Sequence, residues 1–286
     1  MKKILITGCN GQLGRALSQV LADNDEYELI KTDVEDLDIT DIRSVMKTVC
    51  DIKPYAIVNC AAYTNVNGCE TNKELAFKIN VIGPRNLSIG ASEAGAKLFH
   101  ISTDYVFSGK EHRHYYEFDE TDPQSAYGET KLQAEQMVRQ FASKYFILRT
   151  AWMYGEGKNF VKTMLSIAEK TDTVQVVNDQ FGTPTWSMDL ARCIACLLPT
   201  DNYGTFHATN EGECCWADFA KEIFRLAGKK MNVIPVSTEE YDKQFPGQAN
   251  RPEYSVLNNF MLDMTTSFKF PSWQESIEKY IKTLSE

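Results

Sequence analysis

Short apolar runs alternate with helical patterns through the first half of the chain. Lys3-Ile-Leu-Ile6 reads as a buried strand, and Gln12 to Ala22 as a helix with Leu13, Leu17, Val20 and Leu21 on one side. Tyr27 to Lys31 is a second strand, ending at Asp33. A helix starts after Thr40, which has the side chain of an N-cap. Tyr55-Ala-Ile-Val58 is a third strand, and Lys73 to Glu93 a long helix jogged near Gly83-Pro84. Lys97 to Ile101 is the fourth strand, Ala126 to Ala142 a helix, and Tyr145-Phe-Ile-Leu148 the fifth strand. This rhythm predicts parallel βαβ units in a doubly wound sheet, whose ligands bind beyond the carboxyl ends of the strands.

Past Arg149 the rhythm loosens. Helices are expected over 159–170, 188–198, 216–227 and 273–284, with a strand over 174–177. Pro, Gly and aromatic residues thicken between them, as in Gln180-Phe-Gly-Thr-Pro-Thr-Trp186, which suits a smaller lobe carrying substrate loops. The expected division is a Rossmann-type α/β domain over 1–155, with 172–198 returning to it, and a substrate lobe formed mainly by 156–286.

Composition narrows the function. The 286 residues are 43% hydrophobic and 24% charged, as in an ordinary soluble globular protein. The net charge of −9 argues against a general nucleic-acid binder. Phosphate recognition must therefore come from local donors such as helix N-termini. No apolar stretch reaches the length of a membrane span, no signal peptide is visible, and the reading is cytoplasmic. The eight cysteines are then expected to be free thiols. Cys193-Ile-Ala-Cys196 lies in an amphipathic helical pattern and reads as core; no metal site is expected, at the scattered histidines or elsewhere.

Three short motifs carry chemistry. Gly8, Gly11 and Gly14 form a turn after the first strand that lets the backbone approach a pyrophosphate. Asp33 is placed to accept hydrogen bonds from an adenosine ribose, which favours NADH; Lys31 lies near enough to help with the 2′-phosphate of NADPH. Asp38-Ile39 either brackets the adenine or merely enters a helix. Small residues after the third strand, Ala61 and Ala62, leave room for a ribose and phosphate. Asn80, polar within a helical pattern, either bonds a backbone kink beside the site or sits on the surface. Ser102-Thr103-Asp104 follows the fourth strand, where a hydroxyl can bond a substrate carbonyl. Tyr127 and Lys131 are four residues apart on one helix face. An unperturbed phenol titrates near ~10; a nearby ammonium and an oxidised nicotinamide both favour the phenolate and draw it toward neutrality. A hydroxyl of the Ser102-Thr103 pair, Tyr127 and Lys131 together read as a general-acid triad for hydride transfer.

These strings resemble the extended short-chain dehydrogenase/reductase superfamily, and within it the dTDP-4-dehydrorhamnose reductase family. The resemblance rests on Gly8-x-x-Gly-Gln-Leu-Gly14, Asn59-Cys-Ala-Ala-Tyr-Thr64, Ile101-Ser-Thr-Asp-Tyr-Val-Phe107, Tyr127-Gly-Glu-Thr-Lys131, Arg149-Thr-Ala-Trp-Met-Tyr154 and Asp179-Gln-Phe-Gly-Thr-Pro-Thr185. It implies NADPH or NADH as cofactor and a dTDP-sugar as substrate, reduced at a C4 ketone. It implies that Gly11, Gln12 and Leu13 meet the pyrophosphate, while Asp33, Asp38, Ile39, Ala62, Tyr63 and Thr64 line the adenosine and phosphate region. Ala61 and Ile101 belong to the same cofactor shell. Tyr127 is implied as proton donor, with Lys131 on the nicotinamide ribose. Thr103 and Asp104 contact the deoxysugar, Trp152 stacks near the sugar or nucleotide, and Arg251 meets substrate phosphate. Some members dimerise through magnesium held by glutamates, one of them just after the glycine turn. Arg15 stands there in this chain, so the resemblance implies a monomer or a homodimer without that metal bridge. Two rivals stay open: a reductase of another nucleotide 4-keto-6-deoxysugar, and a non-catalytic regulatory subunit of the same fold. The intact Thr103, Tyr127 and Lys131 weigh against the second.

Overall fold

The computed structural model describes residues 1–284. Its centre is a six-stranded sheet of β1 (Lys2–Thr7), β2 (Tyr27–Thr32), β3 (Ala56–Asn59), β4 (Lys97–Thr103), β5 (Tyr145–Thr150) and β6 (Gly204–His207). The order is β6-β5-β4-β3-β1-β2, and every pairing is parallel. Strand order therefore reverses between β1 and β3, the crevice where a doubly wound sheet takes its ligand.

Side chains alternate across the sheet and feed two cores. Leu5, Ile57, Leu98 and Ile147 face α2 (Ile42–Ile52), with α5 (Gly83–Ala94) and α6 (Ala126–Phe141) on the same side; the short α3 (Val66–Thr71) and α4 (Lys73–Phe77) come between α2 and α5 in the chain. Ile4, Ile6, Val58, Phe99, Phe146 and Leu148 face α1 (Gln12–Val20) and a helix over Ser187–Leu197. Cys193 is buried in that second core, so the Cys-x-x-Cys pair is packing, and all eight cysteines are free.

The return to the sheet differs from the expected one. The helix Ser187–Leu197 does pack on α1, but the strand Thr173–Val177 pairs with Asn232–Val236 in a small separate sheet. The strand that joins the main sheet is β6, which no apolar run announces. A third core, around Tyr154, Val161, Trp186, Phe219, Phe224, Trp273 and Ile277, holds the smaller lobe together. Helices over Val66–Thr71, Thr238–Gln244 and Phe260–Thr265 are also present, each too short to show helical periodicity. The N-cap of α2 is Asp41, which accepts from the Arg43 N–H; Thr40 instead gives its hydroxyl to Asp38. No helix among the described residues is long and apolar enough to cross a membrane.

The long helix expected over 73–93 is interrupted. It runs as a regular helix over Lys73–Phe77, widens into a π turn over Lys78–Ile82, and resumes as α5. The wide turn accommodates Pro84, whose missing N–H would break a regular ladder. It also carries Asn80 inward, 1% exposed, which resolves the two readings of that residue. The Asn80 amide brackets one residue: its Oδ1 accepts from the Tyr63 N–H at 2.8 Å and its Nδ2 donates to the Tyr63 carbonyl at 3.1 Å. Nδ2 also reaches Thr130 Oγ1 at 3.2 Å, tying the loop after β3 to α6. Replacing Asn80 with Ala leaves the Tyr63 groups unpaired. We expect Asn80→Ala to lose about 2 kcal/mol in urea unfolding, with weaker dinucleotide binding in a fluorescence titration. An unchanged midpoint would remove Asn80 from this role.

Candidate active site

The crevice at the strand reversal is built by close backbone contact. Gly8 has φ +64°, and a Cβ there would lie 2.7 Å from the Ala61 backbone; one on Gly14 would lie 2.5 Å from the Gly8 carbonyl. A side chain at Gly8 would push the β1 and β3 loops apart, and one at Gly14 would push α1 off the turn that leads into it. Gly11 is the exposed N-cap of α1 and offers no side-chain acceptor, so the first N–H groups of that helix stay free for an anion. The Leu13 side chain is core, so any contact it makes with a pyrophosphate is through its backbone N–H. Gln12 sits half-buried in the first turn, and its Oε1 has no partner.

Asp33 follows β2 at the rim. Its carboxylate accepts the Asn10 N–H at 3.0 Å and the Val34 N–H at 2.9 Å, which fixes its direction beside the glycine turn. Ala61, Ala62 and Tyr63 are half-buried and Thr64 is exposed. Asp38 is exposed and turned onto the backbone and hydroxyl of Thr40, whose bonds hold its carboxyl below the usual range. The Ile39 side chain is buried in the core under Gly83, so at most its backbone faces the crevice. The free N-terminus of α1, the rim carboxylate and the small residues after β3 together fit a dinucleotide.

Helix α6 brings the hydroxyls together. Ser125 caps it by accepting the Gly128 N–H, and Glu70 accepts the Ala126 N–H at 2.8 Å. Gly128 lies directly against the Tyr105 carbonyl, where no Cβ fits. Tyr127 and Lys131 thus point to the end of β4. The Lys131 ammonium, 3% exposed, donates to the Ile101 carbonyl. The Tyr105 and Tyr127 rings meet edge to face at 5.6 Å. Of the adjacent hydroxyls only Thr103 serves this site: Ser102 Oγ turns away to Glu135 at 2.6 Å.

The electrostatics differ from the sequence-based expectation. Burial, then Asp104 and Tyr105, push the Tyr127 phenol up, against a smaller opposing pull from Thr103. The ammonium does not outweigh this, so without cofactor the phenol is a firmly protonated acid. Lys131 itself is drawn down to about 8, because burial outweighs the opposing field of Glu135. Asp104, expected on the deoxysugar, is buried and turned inward. It accepts Ser255 Oγ at 2.6 Å and Thr103 Oγ1 at 2.9 Å, and burial lifts its carboxyl to about 6. In the cofactor-free site the Thr103 O–H is thus turned to Asp104, and its oxygen accepts the Tyr105 N–H at 3.3 Å.

The substrate side is aromatic. Trp152 has φ +44°, strained for a bulky residue, and stacks on Trp216 with centroids 3.5 Å apart and planes 7° apart. Phe160 packs on the far face of this wall. Trp216, Phe160, Met164, Gln180, Tyr241 and Arg251 border a cavity of about 590 Å³. Arg251 also reaches the Tyr105 hydroxyl at 3.4 Å, which links this cavity to the site. Trp216 and Tyr241 escaped the sequence reading, because an aromatic in an amphipathic helix looks the same whether it lines a cavity or a core. Arg15 pairs with Glu156 at 2.5 Å, and no group of three His, Cys, Asp or Glu among the described residues could hold a metal.

Gly182 keeps the Trp152 indole in place, since a Cβ there would lie 2.6 Å from the ring. Gly182→Ala is expected to break the Trp152–Trp216 stack, removing its near-UV circular dichroism couplet and costing about 1–3 kcal/mol. A retained couplet at unchanged stability would show that the wall has room to spare.

A family model described as the RmlD substrate binding domain matches residues 1–286. A crystal structure of a dTDP-4-dehydrorhamnose reductase from Clostridium acetobutylicum is 51% identical, with a TM-score of 0.96 over 99% of this chain and 100% of that one. A dTDP-4-dehydrorhamnose reductase from Bacillus anthracis, in complex with NADP, is 43% identical, with a TM-score of 0.94 over 99% of each chain. The spore coat polysaccharide biosynthesis protein SpsK of Bacillus subtilis is 37% identical over 286 residues, covering 100% of this chain and 99% of that protein. With the match running the whole length of the chain, this protein belongs to the RmlD substrate-binding-domain family.

Proposed function

We propose that the chain is an NAD(P)H-dependent dTDP-4-dehydrorhamnose reductase, reducing the C4 ketone of dTDP-4-dehydro-L-rhamnose to give dTDP-L-rhamnose. One observation carries the reading: an unbroken run of contacts joins the glycine turn to the phenol. Gly8 lies on Ala61, the loop from Ala61 reaches Tyr63, Asn80 clasps Tyr63 and Thr130, and Thr130 Oγ1 bonds the Tyr127 carbonyl at 2.9 Å. A dinucleotide seated on α1 would thus be held in register with an acid.

Bound NADPH or NADH supplies the hydride. Tyr127 donates to the ketone oxygen and gives it its proton as charge develops there, and Thr103 becomes a second donor once its O–H turns from Asp104 to that oxygen. The high phenol pKa serves this direction, because the acid is fully protonated at neutral pH. Lys131 uses one N–H on Ile101 and has two left for the nicotinamide ribose and the phenol. Trp216 and Arg251 border the cavity that would take the dTDP moiety, and Trp152 stacks on Trp216.

Steady-state assay with the dTDP-ketosugar is expected to show Tyr127→Phe losing at least about 100-fold in kcat with cofactor affinity little changed. Retained turnover would take the proton-donor role from Tyr127. Product NMR decides between this ketosugar and another nucleotide 4-keto-6-deoxysugar, and turnover without any partner protein excludes a purely regulatory role. The Asp33 carboxylate faces the adenosine end and repels a 2′-phosphate. Asp33→Asn should therefore raise the NADPH-to-NADH ratio of kcat/KM by about tenfold; an unmoved ratio would place selectivity elsewhere.

A further inference from the structure

Glu135 is the third residue of one α6 stripe, four residues beyond Lys131 and eight beyond Tyr127. It is 0% exposed, and both oxygens are doubly engaged. Oε1 accepts Ser102 Oγ at 2.6 Å and Arg149 Nε at 2.9 Å; Oε2 accepts Arg149 Nη2 and Arg139 Nη2, each at 2.8 Å. The carboxylate thereby joins α6 to β4 through Ser102 and to β5 through Arg149. Arg149 is itself buried, donating also to the Glu117 carbonyl at 3.2 Å and lying over the Phe107 ring.

We propose that Glu135 is a positioning residue for the reduction, setting both the place and the charge of the Lys131 ammonium. The inference rests on the reductase reading above. Place follows from geometry: Ser102 is the residue after Ile101, whose carbonyl receives the ammonium, so anchoring the Ser102 side chain anchors that acceptor. Charge follows from the groups around Lys131. From β4, His100 is neutral, pushed far down by burial and by Lys131 itself. Asp104, after β4, directs its carboxylate at Ser255 and Thr103. Tyr127 is protonated, and Arg149 on β5 is a buried cation. Glu135 is the ionised carboxylate on the Lys131 side: burial would raise its carboxyl, but Arg149, Ser102 and Arg139 together hold it low. Without it, a buried ammonium faces burial alone and sheds its proton at lower pH.

The test is Glu135→Gln, which keeps the shape while removing the charge; its NH2 faces two donors that the carboxylate accepted, so folding of the variant is checked by circular dichroism. Two readouts are needed. In the cofactor-free protein, the Lys131 ε-carbon is followed by NMR titration and assigned by its loss in Lys131→Met. Its midpoint is expected near 8 in the parent and about one pH unit lower in the variant. In turnover, the alkaline limb of kcat/KM should move down by the same interval, while kcat on the plateau falls less. The double variant Glu135→Gln/Arg149→Gln removes both charges, relieves the uncompensated guanidinium, and is expected to show the same displacement where the single variant folds poorly. A folded variant whose Lys131 midpoint and alkaline limb match the parent overturns the proposal. Absence of ketosugar turnover in the parent overturns the reductase reading instead, and leaves the NMR titration standing.

Discussion

The site depends on a carboxylate and a guanidinium that meet out of reach of water. Glu135 and Arg149 share two short hydrogen bonds between α6 and β5. Removing one partner of such a pair leaves a charge stranded in the interior, at roughly 3–5 kcal/mol. That penalty makes the docking of α6 nearly all-or-none. Every group the chemistry uses on that helix inherits its position from this junction, and the Tyr127 acid is two turns away along the same stripe. Arg139 and Ser102 complete the shell, so the carboxylate enters the interior without an unsatisfied lone pair.

Around this junction the protein separates two electrostatic tasks. In the proposed reading, anion recognition falls to backbone N–H groups at the open start of α1, which suits an acidic molecule with no general pull on phosphate. In the reduction proposed above, proton donation falls to a phenol kept neutral by burial and by Asp104. The Ala61–Tyr63 segment joins the two regions: the small Ala61 lies against Gly8 and the Tyr63 backbone is clasped by Asn80.

Much of this was legible in the sequence, and the boundary is physical. The sheet could be read because buried parallel strands are short continuous apolar runs, and β1 to β5 have them; β6 begins with Gly204 and has no such run. Thr103, Tyr127 and Lys131 could be located because helical and strand periodicity places them at one end of the sheet. Their charge states could not. The rise of the Tyr127 phenol and the fall of the Lys131 ammonium are set by burial, which depends on elements far apart in the chain, including Ser255 turning Asp104 inward. The same holds for the aromatic wall: Trp152 and Trp216 are 64 positions apart, and nothing local marks them as partners. Asn80 reads from the sequence as either surface or site because a π turn rotates a side chain away from where an ordinary helix would put it.

That widened turn also acts as a phase shifter for the helical layer. A regular helix advances about 100° per residue. The extra residue accommodated over Lys78–Ile82 therefore lets two faces of one long segment look in different directions. Ahead of it, Ala76 turns toward Cys69 and Ala126 beside the crevice; beyond it, Leu87 and Ala91 turn onto the sheet. A straight helix of the same composition could satisfy one of these neighbours only by abandoning the other. The segment thus serves catalysis at one end and the hydrophobic interior at the other, and its length in residues is constrained by angle as much as by distance.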